Sequence, residues 1–443
     1  MANSANGERL TITAANEAIR KGELTPVDLV KHCLERIDRY ESKVRAWVLI
    51  DREGALAEAE KLTAELKNGA YRGPLHGIPI GVKDIIDVAG WPTAAGSKVW
   101  ANSIAREDAA VIWKLRTAGA ILLGKTVTTA YASFDPPVTR NPWNLACTPG
   151  GSSSGSAAAV ACGMALGALA SQTGGSITRP ASYCGVCGFK PAFGRVSVDG
   201  VLTLAASMDH VGAMAGSVRD LRILYEAMHD GPAGARLPRS MPPAIDIRRV
   251  GGMFDELADP RFIEIMQEVG KRITGRPQGL DPMVLPAGFC DITPRHNTVM
   301  AVEAAVVHEE RFKKLPEDYP PCITELLQHG LSCGAAHYAR TKEHQRELTA
   351  EMRRLLEGGV VLIMPATPGP APDASTTGRP TFNSPWSYTG VPAVSFPIGM
   401  TNDGLPLCVQ MVGHPDYEDM LLSLAVAFQE EVLELDCPLA DPH

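Results

Sequence analysis

Apolar positions along this chain switch repeatedly between helical spacing and short continuous runs. From Thr11 to Thr25 they recur at helical spacing, and Gly22 ends that run just before Thr25-Pro26, a cap followed by proline at the first helical position. Pro26 to Tyr40 continues as an amphipathic helix with Val27, Val30, Cys33, Leu34 and Ile37 on one face. Arg45 to Asp51 predicts a strand, and the charged, alanine-rich run Arg52 to Asn68 predicts another helix. Residues 1–70 are therefore expected to form an N-terminal, largely helical part. The character changes at Tyr71. The stretch YRGPLHGIPIGVKDIIDV is dense in β-branched residues with Gly and Pro punctuation, which predicts a short buried strand and its exit loop. Ala109 to Ala118 then reads as a helix and Ala120 to Gly124 as a buried strand, and the alternation continues through Val218 to Met228.

About 231–332 is less regular. It reads as variable covering helices and loops, with a loop at Pro232 to Pro243 and helices around Pro260 to Ile273 and Met300 to Lys314. Strand patterns return at Val360 to Pro365, Val391 to Ile398 and Leu407 to Val412, with a proline-rich loop (Pro365 to Pro385) and a closing helix (Asp416 to Glu430). Alternating helices and short apolar strands mark an α/β fold. No solenoid repeat and no long linker divides it, so a single domain over residues 1–443 is expected.

One stretch stands apart. Cys147 to Pro191 holds two glycine–serine clusters, Gly150 to Ser156 and Thr173 to Ser176. Between them Ala157 to Ala170 is mostly alanine, which predicts a tightly packed buried helix. A flexible Gly/Ser linker is the bland alternative. The apolar run, and the cysteine- and aromatic-containing segment after it, suit a core better. A buried helix with a serine loop at each end can bring both loops to one place.

Composition narrows the choice. The 443 residues are 45% hydrophobic and 21% charged, ordinary for a globular protein with a large core. A net charge of −8, with scattered basic residues, argues against nucleic acid or an anionic membrane as partner. The N-terminal residues lack a basic-then-apolar signal pattern, and no apolar run reaches membrane-spanning length. Ten dispersed cysteines read as thiols of a reducing cytoplasm. Cys184 and Cys187 have the spacing of a zinc or redox pair, but no second pair accompanies them, so packed thiols are expected. Neither a metal nor a cofactor is expected.

Gly119 to Thr126 matches G-x-x-x-x-G-K-[ST], the phosphate-cradling loop. That mechanism needs a compact loop whose amides point at phosphate. Here the intervening Ala-Ile-Leu-Leu is strand-like, and Val127-Thr128-Thr129 is a poor helix start, so nucleotide binding is rejected. Serine hydroxyls need a base and an oxyanion site. His76, His210 and His337 sit in no nucleophile–base arrangement, and no G-x-S-x-G elbow occurs. A lysine in an apolar pocket can serve, because burial disfavours its charged form. Lys83 has such a context, although from position alone a lysine that snorkels to the surface is the favoured reading.

Gly81-Val82-Lys83-Asp84, Pro149 to Ser153 and Gly174-Gly175-Ser176-Ile177 together resemble the amidase signature family. Asn141 to Asn144, Cys187 to Pro191, Gly194 to Ser197 and Gly404 to Pro406 follow in that family's order. The resemblance runs from about residue 10 to 430. It implies a central mixed, twisted β-sheet covered on both faces by helices. It also implies amide-bond cleavage by a Ser–cisSer–Lys triad. Lys83 matches the family lysine, Ser152 the cis-serine and Ser176 the nucleophile, with the two serines 24 residues apart as in the family. Backbone N–H groups of Thr173, Gly174, Gly175 and Ser176 would stabilise the oxyanion. Gly124-Lys125-Thr126 resembles a family segment after a buried strand.

Ala170 to Thr178 departs from the family pattern G-T-D-x-G-G-S-[IV]-R, most of all at Gln172 and Thr178. Gln172 replaces an acid, and Thr178 stands where arginine is common, with Arg179 one place later. A neutral Gln with a Thr could replace an Asp–Arg pair without leaving a charge uncompensated. By analogy, Thr128 to Pro136 and the loop Thr367 to Trp386 border the pocket, with Tyr131, Phe134 and Trp386 as an aromatic wall or equally as core residues. The expected substrate is a small or aryl amide or a carbamate, and a second copy of the chain is the macromolecular partner left open. A glutamine-hydrolysing subunit of a transamidation complex is the competing reading.

Overall fold

The structure is a computed structural model; it describes residues 9–231, 244–432 and 438–442. Among these, eleven strands form one mixed sheet: β1 (Trp47–Ile50), β2 (Pro79–Lys83), β3 (Ile121–Thr126), β4 (Gly167–Gln172), β5 (Cys187–Lys190), β6 (His210–Ala215), β7 (Asp246–Val250), β8 (Pro282–Met283), β9 (Val360–Pro365), β10 (Ala393–Met400) and β11 (Pro406–Val412). Their order is β1-β3-β2-β4-β6-β5-β10-β11-β9-β7-β8. β2 runs parallel to both β3 and β4, and β7 runs parallel to β8 and β9; the remaining pairs are antiparallel. Every residue of β2 to β6 is buried. Strands covered on both faces read as continuous apolar runs, as seen here. Helices flank the sheet, and no helix among the described residues is long and apolar enough to cross a membrane.

The N-terminal expectation holds closely. A helix spans Ile12–Lys21 and closes on Gly22 in the left-handed region at φ 72°. The next, Pro26–Val44, starts with a capping box in which Thr25 and Asp28 satisfy each other's backbone N–H groups, with Pro26 at the first helical position. The helix Arg52–Lys67 follows β1. The N-terminal part is not separate from the sheet, because β1 pairs with β3.

Two expectations fail for identifiable reasons. The alanine run is not one helix. The helix covers Ser154–Ala161, Gly163 adopts φ +67°, and Gly167–Gln172 becomes β4. Alanine packs in either geometry, so its abundance did not reveal the change of period. The middle of the chain also does more than cover the fold: β7 and β8 extend the sheet. Both are short, and most of their residues are only part-buried, so they lack the apolar signature of the central strands. The helix Ala335–Leu356 escaped notice because it is mostly polar, with Thr341, Gln345, Leu348, Met352 and Leu356 as its buried line. The loop expected at Pro232 to Pro243 lies outside the described residues.

The helix Ser154–Ala161 packs against β4 and β2 with all eight residues buried. Gly155 makes that approach possible: its N–H donates to Val127 O at 2.9 Å, while Val127 N donates to Ala46 O at 2.8 Å. A Cβ on Gly155 would fall inside van der Waals contact of Ala46 O and Val127 N, both backbone atoms. Gly155→Ala is therefore expected to lower unfolding stability by about 2 kcal/mol, read from urea denaturation. An unchanged denaturation midpoint would show that this contact does not limit the packing.

Candidate active site

Strand register assembles the site. β2 and β4 are parallel neighbours, with Val82 opposite Leu169, so both end on the same side of the sheet. Lys83 is the last residue of β2, and Ser171 stands one residue before the end of β4. Carboxyl ends of adjacent parallel strands are where open α/β sheets leave a crevice. β6 runs antiparallel to β4 with His210 opposite Gln172, which puts Asp209 beside Thr173. Ser152 enters from the turn ahead of the helix Ser154–Ala161, and the Gly151–Ser152 peptide bond is cis.

Lys83 Nζ donates to Ser152 Oγ and to Ser171 Oγ, each at 2.7 Å. Lys83 and Ser152 have no exposed surface. Burial pushes the Lys83 pKa down to about 7, against the opposing pull of the Asp209 carboxylate, the nearby charge that favours the ammonium. The lysine is thus neutral in a sizeable fraction of molecules near pH 7. Ser176 keeps 7% of its surface exposed, and its hydroxyl makes no hydrogen bond to a described residue. It is the free hydroxyl of the group.

The loop Thr173 to Ser176 is held by its carbonyls. Thr173 O accepts from His296 Nε2 at 3.0 Å, Gly174 O from Ser387 Oγ at 2.9 Å, and Gly175 O from Arg179 N at 3.0 Å. His296 must carry its proton on Nε2, because a carbonyl only accepts, and burial lowers its pKa to about 4 so that the ring is neutral. The N–H groups of Gly174, Gly175 and Ser176 find no acceptor among the described residues. Buried amides are nearly always paired, so successive free amides mark a place built for a negatively charged oxygen.

The Gln172 and Thr178 departures from the family motif have a direct structural account. Gln172 Oε1 accepts from Ile177 N at 2.8 Å, Thr178 N at 3.0 Å and Thr178 Oγ1 at 3.3 Å. Its Nε2 donates to Ser387 Oγ at 3.1 Å. One neutral amide therefore ties the far side of the loop to the helix Thr178–Cys184, with no buried charge to balance. Asn383 Nδ2 donates to Thr178 Oγ1 at 2.9 Å and completes the link.

Sequence reasoning missed Ser171, Asp209, His296, Asn383 and Ser387. Asp209 Oδ1 accepts from Thr173 Oγ1 at 2.5 Å, and Oδ2 accepts from Leu204 N at 2.8 Å and Ala205 N at 3.1 Å. Burial raises its pKa to about 6, offset by these bonds, with Glu303 as the further charge it faces. The available signal for Ser171 was its place one residue before Gln172. No local pattern marked the others. A small cavity beside them is lined by Ser171, Thr173, Asp209 and His210 with Ile85 and Leu202.

Of the three aromatic residues named for a pocket wall or the core, Tyr131 and Trp386 are core side chains and Phe134 is half-buried. Tyr131 is fully buried, stacked on Tyr319 at 4.5 Å between ring centroids, with its hydroxyl on Asp318. Trp386 is fully buried against Phe254 and Phe289, and its Nε1 donates to Phe382 O at 2.8 Å. Phe134 is half-buried against the core. Lys125 of the phosphate-loop look-alike sits in β3, fully buried, 3.0 Å from Asp84. Cys184 Sγ and Cys187 Sγ turn to different carbonyls, Pro149 O and Gly216 O. Among the described residues no group of three or more His, Cys, Asp or Glu side chains could hold a metal ion.

A family model described as Amidase matches residues 28–241 and 286–422. The chain is 33% identical over 451 residues to a putative amidase AmiD of Mycobacterium tuberculosis, covering 95% of this chain and 94% of that one. It is 32% identical over 468 residues to one of the subunits of the glutamyl-tRNA(Gln) amidotransferase of Chloroflexus aggregans, covering 95% and 96%. Among solved structures it superposes, with a TM-score of 0.89 and 27% identity over 98% of this chain and 100% of the other, on a chain from an inhibitor-bound vestigial protein complex that reveals the evolutionary origins of an s-triazine catabolic enzyme.

Asp209 gives a pH test. Its negative charge favours the Lys83 ammonium, so Asp209→Asn is expected to let Lys83 lose its proton at lower pH. The acid limb of kcat/KM, set by Lys83 at about pH 7, should move down by about one pH unit. A limb that stays put, or moves up, would show that Asp209 does not act on Lys83.

Proposed function

Because the chain belongs to the amidase family, we propose that it is a serine amidohydrolase that opens amide bonds through an acyl-enzyme on Ser176. The observation that carries this reading is a buried lysine of lowered pKa touching one serine, beside a loop of free amides that bears another. In the proposed cycle neutral Lys83 takes the proton of Ser152, and Ser152 takes that of Ser176. Ser176 Oγ attacks the substrate carbonyl carbon, and the C=O electron pair moves onto oxygen. The N–H groups of Thr173, Gly174, Gly175 and Ser176 receive that oxyanion. Because their carbonyls are already tied, these amides need no rearrangement as charge develops, and one such donor is worth about 3 kcal/mol. The intermediate collapses, the C–N bond breaks, and Ser152 returns a proton to the departing amine while Lys83 reprotonates it. Water then attacks the acyl carbon by the same relay, releasing the acid and Ser176.

Small amides, aryl amides and carbamates share the carbonyl and amine leaving group that this cycle requires, and they are the proposed substrate range. A second reading is favoured by the similarity to the amidotransferase. In it the chain would release ammonia from glutamine within a complex. The purified chain alone, offered glutamine, aryl amides and carbamates, separates the two: turnover of aryl substrates but not glutamine supports the stand-alone enzyme.

Ser176→Ala is expected to lower kcat by about 10⁴-fold or more, and Lys83→Met by a comparable factor, since groups acting as one unit fail together. Activity of the unsubstituted chain should rise with pH through about 7, as Lys83 becomes neutral. Mass spectrometry of a quenched reaction should find the acyl group on Ser176. Full turnover in Ser176→Ala would overturn the assignment.

A further inference from the structure

In a trans peptide the C=O and the N–H that follows it lie in one plane and point in opposite directions. Holding a carbonyl therefore aims the amide of the next residue. The tied carbonyls Thr173 O, Gly174 O and Gly175 O share their peptide units with the N–H groups of Gly174, Gly175 and Ser176. Those are the amides that find no acceptor among the described residues. Each free amide thus has one tie behind it. The middle unit is the least restrained by its own chain. It lies between two glycines, and with no Cβ on either side its plane turns at little cost. A side chain cannot stiffen it, because a Cβ on Gly175 would fall 2.9 Å from Asn383 Oδ1 and 3.0 Å from Asn383 Cβ. Its restraint is Ser387 of the short helix Ser384–Tyr388, whose Oγ donates to Gly174 O at 2.9 Å.

The direction of that bond is fixed from the backbone. Ile177 N–H and Thr178 N–H only donate, so the Gln172 side-chain atom that faces them, at 2.8 and 3.0 Å, is the amide oxygen. The amide nitrogen then faces Ser387 Oγ at 3.1 Å, and that nitrogen only donates. Ser387 must accept from Gln172, and its single proton is left for Gly174 O, which only accepts. Both side chains are buried, so bulk water does not compete for that proton. An ionised carboxylate at residue 172 would accept from Ser387 instead and draw the proton away from the loop. The neutral amide and the hydroxyl thus work as one unit.

We propose that Ser387 is a positioning residue for the reaction: by holding Gly174 O it aims the Gly175 N–H at the substrate oxygen as that oxygen becomes negative. This role rests on the serine amidohydrolase reading above. The hydroxyl touches no reacting atom and acts through the peptide plane alone. Its bond to the carbonyl also polarises that peptide, which makes the N–H a stronger donor. Without the hydroxyl the plane is free to turn between its two glycines. The donor is then lost where charge has developed, in the transition state, more than in the complex with the neutral amide. The expected signature is a fall in kcat with KM little changed.

The test compares the full-length unsubstituted chain with Ser387→Thr, Ser387→Val and Ser387→Ala. Thr and Val match in volume and differ in the hydroxyl. Each chain is assayed on whichever of acetamide, 4-nitroacetanilide and phenyl carbamate the unsubstituted chain turns over fastest. Ser387→Val and Ser387→Ala should lower kcat by about tenfold or more while KM stays within about twofold, and Ser387→Thr should recover most of kcat. Inhibition by phenylboronic acid gives a second reading. Ser176 Oγ adds its lone pair to the boron, its proton passes to Ser152 and on to Lys83, and no group leaves, so a charged tetrahedral centre forms at the loop. Its affinity should fall across the variants by the same factor as kcat/KM. Circular dichroism checks that each variant is folded; should Thr and Val not be accepted, Ser387→Ala decides. An unchanged kcat in Ser387→Ala, an equal loss in Ser387→Thr and Ser387→Val, or a loss confined to KM overturns the proposal. If the unsubstituted chain turns over none of the three substrates, the amidohydrolase reading falls and this role with it. If turnover is present and abolished by Ser176→Ala but indifferent to Ser387, only the role of Ser387 falls.

Discussion

A lysine buried away from solvent, with two hydroxyls as its hydrogen-bond partners, is the constraint on which the rest of the site depends. Among the described residues Lys83 has no ion-pair partner in contact, and it sits at the end of a fully buried strand. Desolvation therefore sets its charge state and brings it close to neutrality near pH 7. This demands a tight enclosure. Small residues provide it: the helix Ser154–Ala161 is serine, glycine, alanine and one valine, and it lies directly on β2 and β4. The small-residue run noticed in the sequence is thus the wall that keeps Lys83 dry.

The loop after β4 depends on that enclosure in another way. Its carbonyls are tied by His296, Ser387 and the Arg179 amide, which leaves the amides of Gly174, Gly175 and Ser176 without an acceptor among the described residues. These supports come from the long helix Ile292–Lys314, the short helix Ser384–Tyr388 and the helix that follows the loop. Gln172 braces the loop from beneath with a neutral amide. An amide can serve here because the partners to be satisfied are N–H and O–H groups, not a charge. A neutral bridge thereby stands where the family has an acid and an arginine.

Much of this is legible in the chain before it folds. The caps at Thr25 and Gly22, the buried runs around Lys83 and Ile121, and the three residues Lys83, Ser152 and Ser176 are local patterns or motif matches. Gly124-Lys125-Thr126 is also readable, as a strand rather than a phosphate loop, because the apolar run that disqualifies it is what buries β3. Mixed signals failed. Alanine serves helix and strand alike, so the change at Gly163 was invisible, and the short part-buried strands β7 and β8 had no apolar period to show.

The sequence by itself determined the order of elements as far as β3, the apolar context of Lys83 and the two serine clusters, because propensity, capping and periodicity act over a few neighbouring residues. Tertiary structure alone decided which groups meet. The parallel register of β2 and β4 brings Lys83 against Ser171 and Ser152, and the antiparallel register of β6 sets Asp209 beside Thr173. His296 and Ser387 reach the loop across 123 and 213 residues of chain. Contacts at such separations are fixed by sheet register and packing, which no local stretch of sequence encodes. Arg179 shows the same division: its identity was plain in the motif, but that it lies buried with carbonyls and no acid could be seen only once the chain had closed around it.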